Sequence, residues 1–146
     1  MKLLLIALTI AASFFSKSTL ANEVNVTPVV EEAFHNSFGQ ATSVKWSNLG
    51  NLYKAEFLIR NEKVSVFFNQ EGESVAIAHY LSISQLSKEL QSDLMKKAEN
   101  YSIMEIFEVS NDEGTTYYAT IENKQNLVVI SANHKNWNVF KRTIKG

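Results

Sequence analysis

Tyr53-Lys54-Ala55-Glu56-Phe57 is answered sixty-four positions later by Tyr117-Tyr118-Ala119-Thr120-Ile121. The same offset carries Val64 onto Val128, Val66 onto Ile130 and Asn69 onto Asn133. The first of these stretches alternates apolar and polar residues, the period of a strand with one buried face. Self-similarity at such a spacing is the mark of a supersecondary unit written twice, each copy burying its apolar side against a neighbour.

Outward from the first copy, Val44 and Trp46 alternate with Ser43, Lys45 and Ser47, and Asn48-Leu49-Gly50-Asn51 supplies a turn. Tyr53, Ala55, Phe57 and Ile59 form one strand face, with Lys54 and Glu56 on the other. Arg60-Asn61-Glu62 turns the chain into Val64, Val66 and Phe68, and Asn69-Gln70-Glu71-Gly72 turns it again into Val75, Ile77 and His79. Upstream, Thr27 as N-cap and Pro28 at the first helical position open a helix, Glu31 and Glu32 suit its positive end, and Gly39 stops it. Val30, Phe34 and Phe38 give that helix one apolar stripe.

The second copy follows the same plan. Leu86, Leu90, Leu94 and Ala98 match Val26, Val30, Phe34 and Phe38 at an offset of sixty, with Ser87 as the cap. Strands are expected over 106–110, 116–122, 127–132 and 137–144, with Asn111-Asp112-Glu113-Gly114 as the clearest hairpin turn. Because the offset grows from sixty to sixty-four between helix and sheet, the second copy is expected to carry its extra residues near Tyr101. The predicted fold is α+β: two tandem helix-plus-antiparallel-meander repeats, about 26–80 and 86–144, with the helices on one face of a shared sheet of about eight strands. No sequence element remains to cover the opposite face.

Residues 1–21 read as a signal peptide: Lys2, an apolar run from Leu3 to Phe15, and Thr19-Leu20-Ala21 as the cleavage site. The run is shorter than the roughly 20 residues of a membrane span. Residues 22–146 then form a single exported domain, periplasmic or extracellular, with no membrane attachment after cleavage. Loss of Lys2 and Lys17 leaves 12 basic against 15 acidic residues, net −3, which offers no field for nucleic acid. The mildly basic end (Lys135, Lys141, Arg142, Lys145) reads as a solvated strand edge. The chain has no cysteine. Disulfides, lipid attachment at a cysteine, thiol nucleophiles and thiolate metal sites are therefore excluded.

Val26-Thr27-Pro28-Val29-Val30, Ala33-Phe34, Phe38, Val44-Lys45-Trp46, Tyr53-Lys54-Ala55-Glu56-Phe57 and Phe68-Asn69-Gln70-Glu71-Gly72-Glu73 together resemble the PepSY-like, beta-lactamase-inhibitor-like proteins. These are small exported bacterial proteins built of tandem helix-plus-strands repeats, and the resemblance covers nearly the whole of residues 22–146. It implies a scaffold that grips a protein with an exposed sheet and takes part in protease inhibition or envelope regulation. It carries no catalytic motif and no inhibitory residue. The second copy departs from the family pattern, with Asn133-His134-Lys135-Asn136-Trp137 at the last turn and Ser87 where a proline is expected.

Catalytic and metal chemistry find little support. His35 stands four residues after Glu31, but a zinc helix needs two histidines at that spacing, so a solvated pair is expected. His79 reads as a half-buried strand residue and His134 as a turn residue. Glu71 and Glu73 flank Gly72 in a turn where water keeps both ionised, and Glu105 with Glu108 offers no more. Asp93 and Asp112 are the chain's two aspartates, few for a calcium site. There is no Gly-x-Ser-x-Gly and no phosphate loop. No enzyme activity, cofactor or metal is expected.

The uncovered sheet face is the functional lead. Alternation puts Lys45, Lys54, Glu56, Phe67, Tyr118 and Thr120 on it, expected as exposed partner-binding residues. The expected function is a non-enzymatic binding module that inhibits or regulates an envelope or secreted protein. The alternative is a carrier of a small ligand or peptide in the sheet concavity, marked by a pocket lined by Trp46, Phe67 or Tyr118. A two-fold homodimer is the other occupant that would bury the same face.

Overall fold

The computed structural model describes residues 24–146; the signal segment lies outside the described residues. Helix α1 spans Pro28–Phe38 and is followed by β1 (Thr42–Asn48), β2 (Tyr53–Ile59), β3 (Glu62–Phe68) and β4 (Ser74–Leu81). A 3-10 turn at Ile83–Gln85 leads into α2 (Lys88–Lys97), then β5 (Ser102–Asn111), β6 (Gly114–Glu122), β7 (Asn126–Ala132) and β8 (Asn138–Ile144). The strands form one open antiparallel sheet in sequence order from β1 to β8. The chain divides into two compact units, the first ending at Ile77 and the second beginning at Ala78.

The helix ends differ in how they are made. At α1, Glu31 N–H donates to the Thr27 carbonyl at 3.0 Å, but the Thr27 hydroxyl makes no cap bond and lies buried without a partner. Position and Pro28 open this helix, not the threonine side chain. Gly39 ends it in a right-handed conformation (φ −59°), so the stop is not the left-handed glycine cap. At α2, Ser87 Oγ accepts from Leu90 N–H at 3.3 Å, the expected cap.

In the first unit, Val30 and Phe34 of α1 pack onto Tyr53, Ala55, Phe57, Val64, Val66 and Phe68. Phe34 is the hub, with ring centroids 5.1 Å from Phe57 and 5.2 Å from Trp46, both edge-on. Arg60 and Asn61 both have positive φ (49° and 69°) between the paired Ile59 and Glu62, a type I′ turn that fixes the β2–β3 register. Gly72 (φ +81°) sits where a Cβ would come within 3.0 Å of Val29, so the β3–β4 turn tucks against α1.

In the second unit, Leu86, Leu90, Leu94 and Ala98 pack onto Ile106, Ala119, Ile121, Val128, Ile130, Ala132 and Trp137. Trp137 is not the first residue of β8 but a buried anchor ahead of it. Its backbone N–H donates to Asp93 Oδ2 at 2.7 Å and its indole N–H to the Leu90 carbonyl at 3.0 Å. The extra residues lie elsewhere than expected. Trp46 pairs with Ala55, with eight residues between them, and Ile106 pairs with Ala119, with twelve between. The four additional residues lengthen the β5–β6 hairpin, closed by Asn111 and Gly114, and not the connection near Tyr101.

Candidate interaction face

The registers decide which side chains turn away from α1 in the first unit. Lys45 pairs with Glu56 and Glu56 with Ser65; Ser47 pairs with Lys54 and Lys54 with Phe67; Leu58 pairs with Lys63. Paired residues of antiparallel strands share a face. Lysines from three strands therefore gather around one carboxylate. Lys54 Nζ lies 2.6 Å from Glu56 Oε2 and Lys63 Nζ 2.9 Å from Glu56 Oε1, while Lys45 is exposed beside them. Burial alone would raise the Glu56 pKa. The hydrogen bonds and charges of Lys54 and Lys63 outweigh it and hold the carboxyl below its usual 4.5. Ser65, fully buried opposite Glu56, keeps a hydroxyl without a partner. A buried unsatisfied hydroxyl costs about 1–3 kcal/mol.

The expectation of exposure fails for four of the six predicted residues. Phe67 is 0 % exposed, Lys54 3 %, Thr120 4 % and Tyr118 6 %; only Lys45 is exposed and Glu56 half-buried. Alternation decides which side a residue points to, not how much water reaches it. Over Tyr118 lie the rings of Phe107 and Phe140. Lys45, Lys54, Glu56 and Phe67 belong to the first unit, Tyr118 and Thr120 to the second.

In the second unit the face turned from α2 carries an aromatic row. Phe107 stacks on Tyr118 at 5.3 Å, Tyr80 meets Phe107 at 6.1 Å and Phe140 meets Tyr118 edge-on at 5.5 Å. Burial pushes the Tyr118 hydroxyl above its usual pKa of 10. Phe140 reaches Tyr118 because the β7–β8 register slips by one residue there: Ile130 faces Val139 and Val129 faces Lys141, leaving Phe140 as a bulge. Small Ser131 opposite Tyr118 leaves room for the ring. Thr120 Oγ1 is buried without a partner on the same side.

The remaining candidates stay apart. His35 and His134 are exposed and His79 is half-buried, and among the described residues no group of three or more His, Asp or Glu side chains could hold a metal. Glu71 and Glu73 belong to a turn organised by Asn69. Its Oδ1 accepts from Glu71 N–H (3.1 Å) and Glu73 N–H (2.9 Å), and its Nδ2 donates to Glu73 Oε2 (2.7 Å). A shallow depression of about 570 Å³ in the second unit is lined by Glu99, Asn100, Tyr101, Ser102, Glu122, Asn123, Lys124 and Lys145. Sequence reasoning missed Lys63 and Ser65. The signal was available: a two-residue turn at Arg60-Asn61 fixes both residues on the side of Glu56.

No family model and no curated protein sequence matches the chain. Solved structures do. A Bacteroides eggerthii protein named as a "putative periplasmic" protein superposes with a TM-score of 0.73 at 14 % identity, over 83 % of this chain and 90 % of that one. A DUF2874 family protein from Bacteroides ovatus gives 0.69 at 16 %, over 83 % and 89 %. A BLIP-like protein from Bacteroides fragilis gives 0.64 at 16 %, over 84 % and 89 %. At these identities the likeness establishes the fold: this chain has the architecture of the BLIP-like and DUF2874 proteins. Among the described residues no helix is long and apolar enough to cross a membrane.

Proposed function

We propose that this chain is an exported, non-enzymatic binding module of PepSY-like type, built from two pseudo-repeats, that holds a protein partner on the face of its first unit turned from α1. The observation that carries the reading is the cluster of Lys45, Lys63 and Glu56, a charged group within reach of solvent on the face turned from α1. The shared fold with a BLIP-like protein and with one named as periplasmic supports an inhibitor or regulator of an envelope or secreted protein. Cleavage after Ala21 releases it without a membrane anchor. The small-ligand alternative needs a pocket lined by Trp46, Phe67 or Tyr118, and the depression in the second unit is lined by none of them.

The test is a pull-down from the native cell envelope with residues 22–146 as bait and Lys45→Glu/Lys63→Glu as control. Phe67→Glu or Tyr118→Glu would place a charge in the interior and report on folding instead. A protein held by the wild type and lost by the charge reversal is the expected result. Two baits that retain the same proteins overturn the reading.

A further inference from the structure

β8 is the last strand in the sheet order and pairs with β7. Lys145 N–H donates to the Gln125 carbonyl at 2.8 Å, continuing the register that matches Ile144 with Asn126. Antiparallel pairs alternate between bonded and non-bonded, so Arg142 and Ile144 turn their N–H and C=O groups away from β7. Such an edge is a template for one more strand. β1, at the other end of the order, is less regular: its register shifts between Thr42 and Lys45, and Ser43 has φ 55°.

The side chains of β8 select what that strand can be. Paired residues share a face, and Asn126, Val128 and Ile130 alternate along β7, so their partners Ile144, Arg142 and Val139 stand on the α2 side. Val139 is 59 % exposed and Ile144 78 %, two large apolar side chains flanking Arg142. Lys141, opposite Val129, points the other way. Lys141 and Arg142 are both exposed, and among the described residues neither has a salt-bridge partner. The edge therefore offers an added strand one cation on each of its faces.

We propose that β8 receives an extended acidic segment of another protein as an added strand. The backbone groups of Arg142 and Ile144 bond the segment, adjacent carboxylates on it meet Lys141 and Arg142, and its flanking apolar residues cover Val139 and Ile144. The same two cations repel the β8 of a second copy, so the occupant is not this chain itself. This surface belongs to the second unit and does not depend on the lysine cluster of the first.

The probe is a fluorescein-labelled peptide containing Val-Thr-Glu-Glu-Thr-Val, followed by anisotropy against residues 22–146. Its palindromic order presents the same side chains to β8 in either strand direction. It should bind, and Val-Thr-Lys-Lys-Thr-Val should not. Lys141→Glu/Arg142→Glu should weaken binding at least about tenfold. Lys96→Glu/Lys97→Glu makes the same change of net charge on the exposed end of α2 and should leave it within about twofold. Thermal melts confirm that both pairs of surface substitutions fold. N-methylation of one alternate set of peptide residues should abolish binding and of the other set should preserve it, because only every second residue of a strand bonds a given neighbour. Equal tolerance of the two methylated sets overturns strand addition in favour of a contact between charges alone. Equal loss in both double variants overturns the edge as the site. Failure of the acidic peptide to bind, or binding of both peptides alike, overturns the proposal.

Discussion

Glu56 accepts an ammonium on each oxygen while half-buried, and one of its two partners is almost wholly enclosed. A carboxyl held below its usual value when folded contributes stability that is complete above the unfolded value of 4.5 and disappears as the pH falls through the folded value. Urea midpoints measured from neutral pH downward should therefore fall below pH 4.5, and the fall should be shallower in Glu56→Gln. Lys54→Ala removes the buried partner and leaves a void beside Phe67, and should cost about 2 kcal/mol by urea denaturation. At this scale the sequence named Lys54 and Glu56 as facing the same way, which alternation dictates. It misjudged their exposure, because alternation fixes the side to which a residue points and not what lies over it.

The elements are held by contacts that cross long stretches of chain. Trp137 ties the loop ahead of β8 to α2 through Asp93 and the Leu90 carbonyl, forty-four and forty-seven residues away. Asp93→Ala would strip the acceptor from a part-buried N–H and should lower stability by about 1–2 kcal/mol. Trp137→Ala, which also opens a large void, should cost about 3–5 kcal/mol, both read from thermal or urea unfolding. Strand identities and the Asn111–Gly114 hairpin were legible from alternation and turn residues. The long β5–β6 hairpin was not, because an offset counts inserted residues without saying on which side of a strand they fall. Nor did the Phe140 bulge show itself, since a one-residue slip is a property of pairing and leaves no mark in either strand's own pattern.

Among the described residues the sheet begins at β1 and ends at β8. The first is broken by a register shift between Thr42 and Lys45 and by Ser43 at φ 55°. The second carries Lys141 and Arg142, both exposed, together with exposed Val139 and Ile144. Edge cations of this kind block strand-to-strand association between molecules. Lys141→Thr/Arg142→Thr should raise the mass seen by light scattering as protein concentration increases, while the wild type stays constant. The order of elements was readable across the described residues because helix and strand periods differ and the turns are rich in Asn and Gly. The chemistry of the lysine cluster was not, because it takes three strands in register to assemble it.

Each unit contains one tryptophan, Trp46 half-buried against Phe34 in the first and Trp137 fully enclosed in the second. The chain thus carries an optical label in each half without any chemical modification. Replacing Trp46 by phenylalanine leaves emission that reports on the second unit only, and the red shift of each indole on exposure to water dates the loosening of its own surroundings.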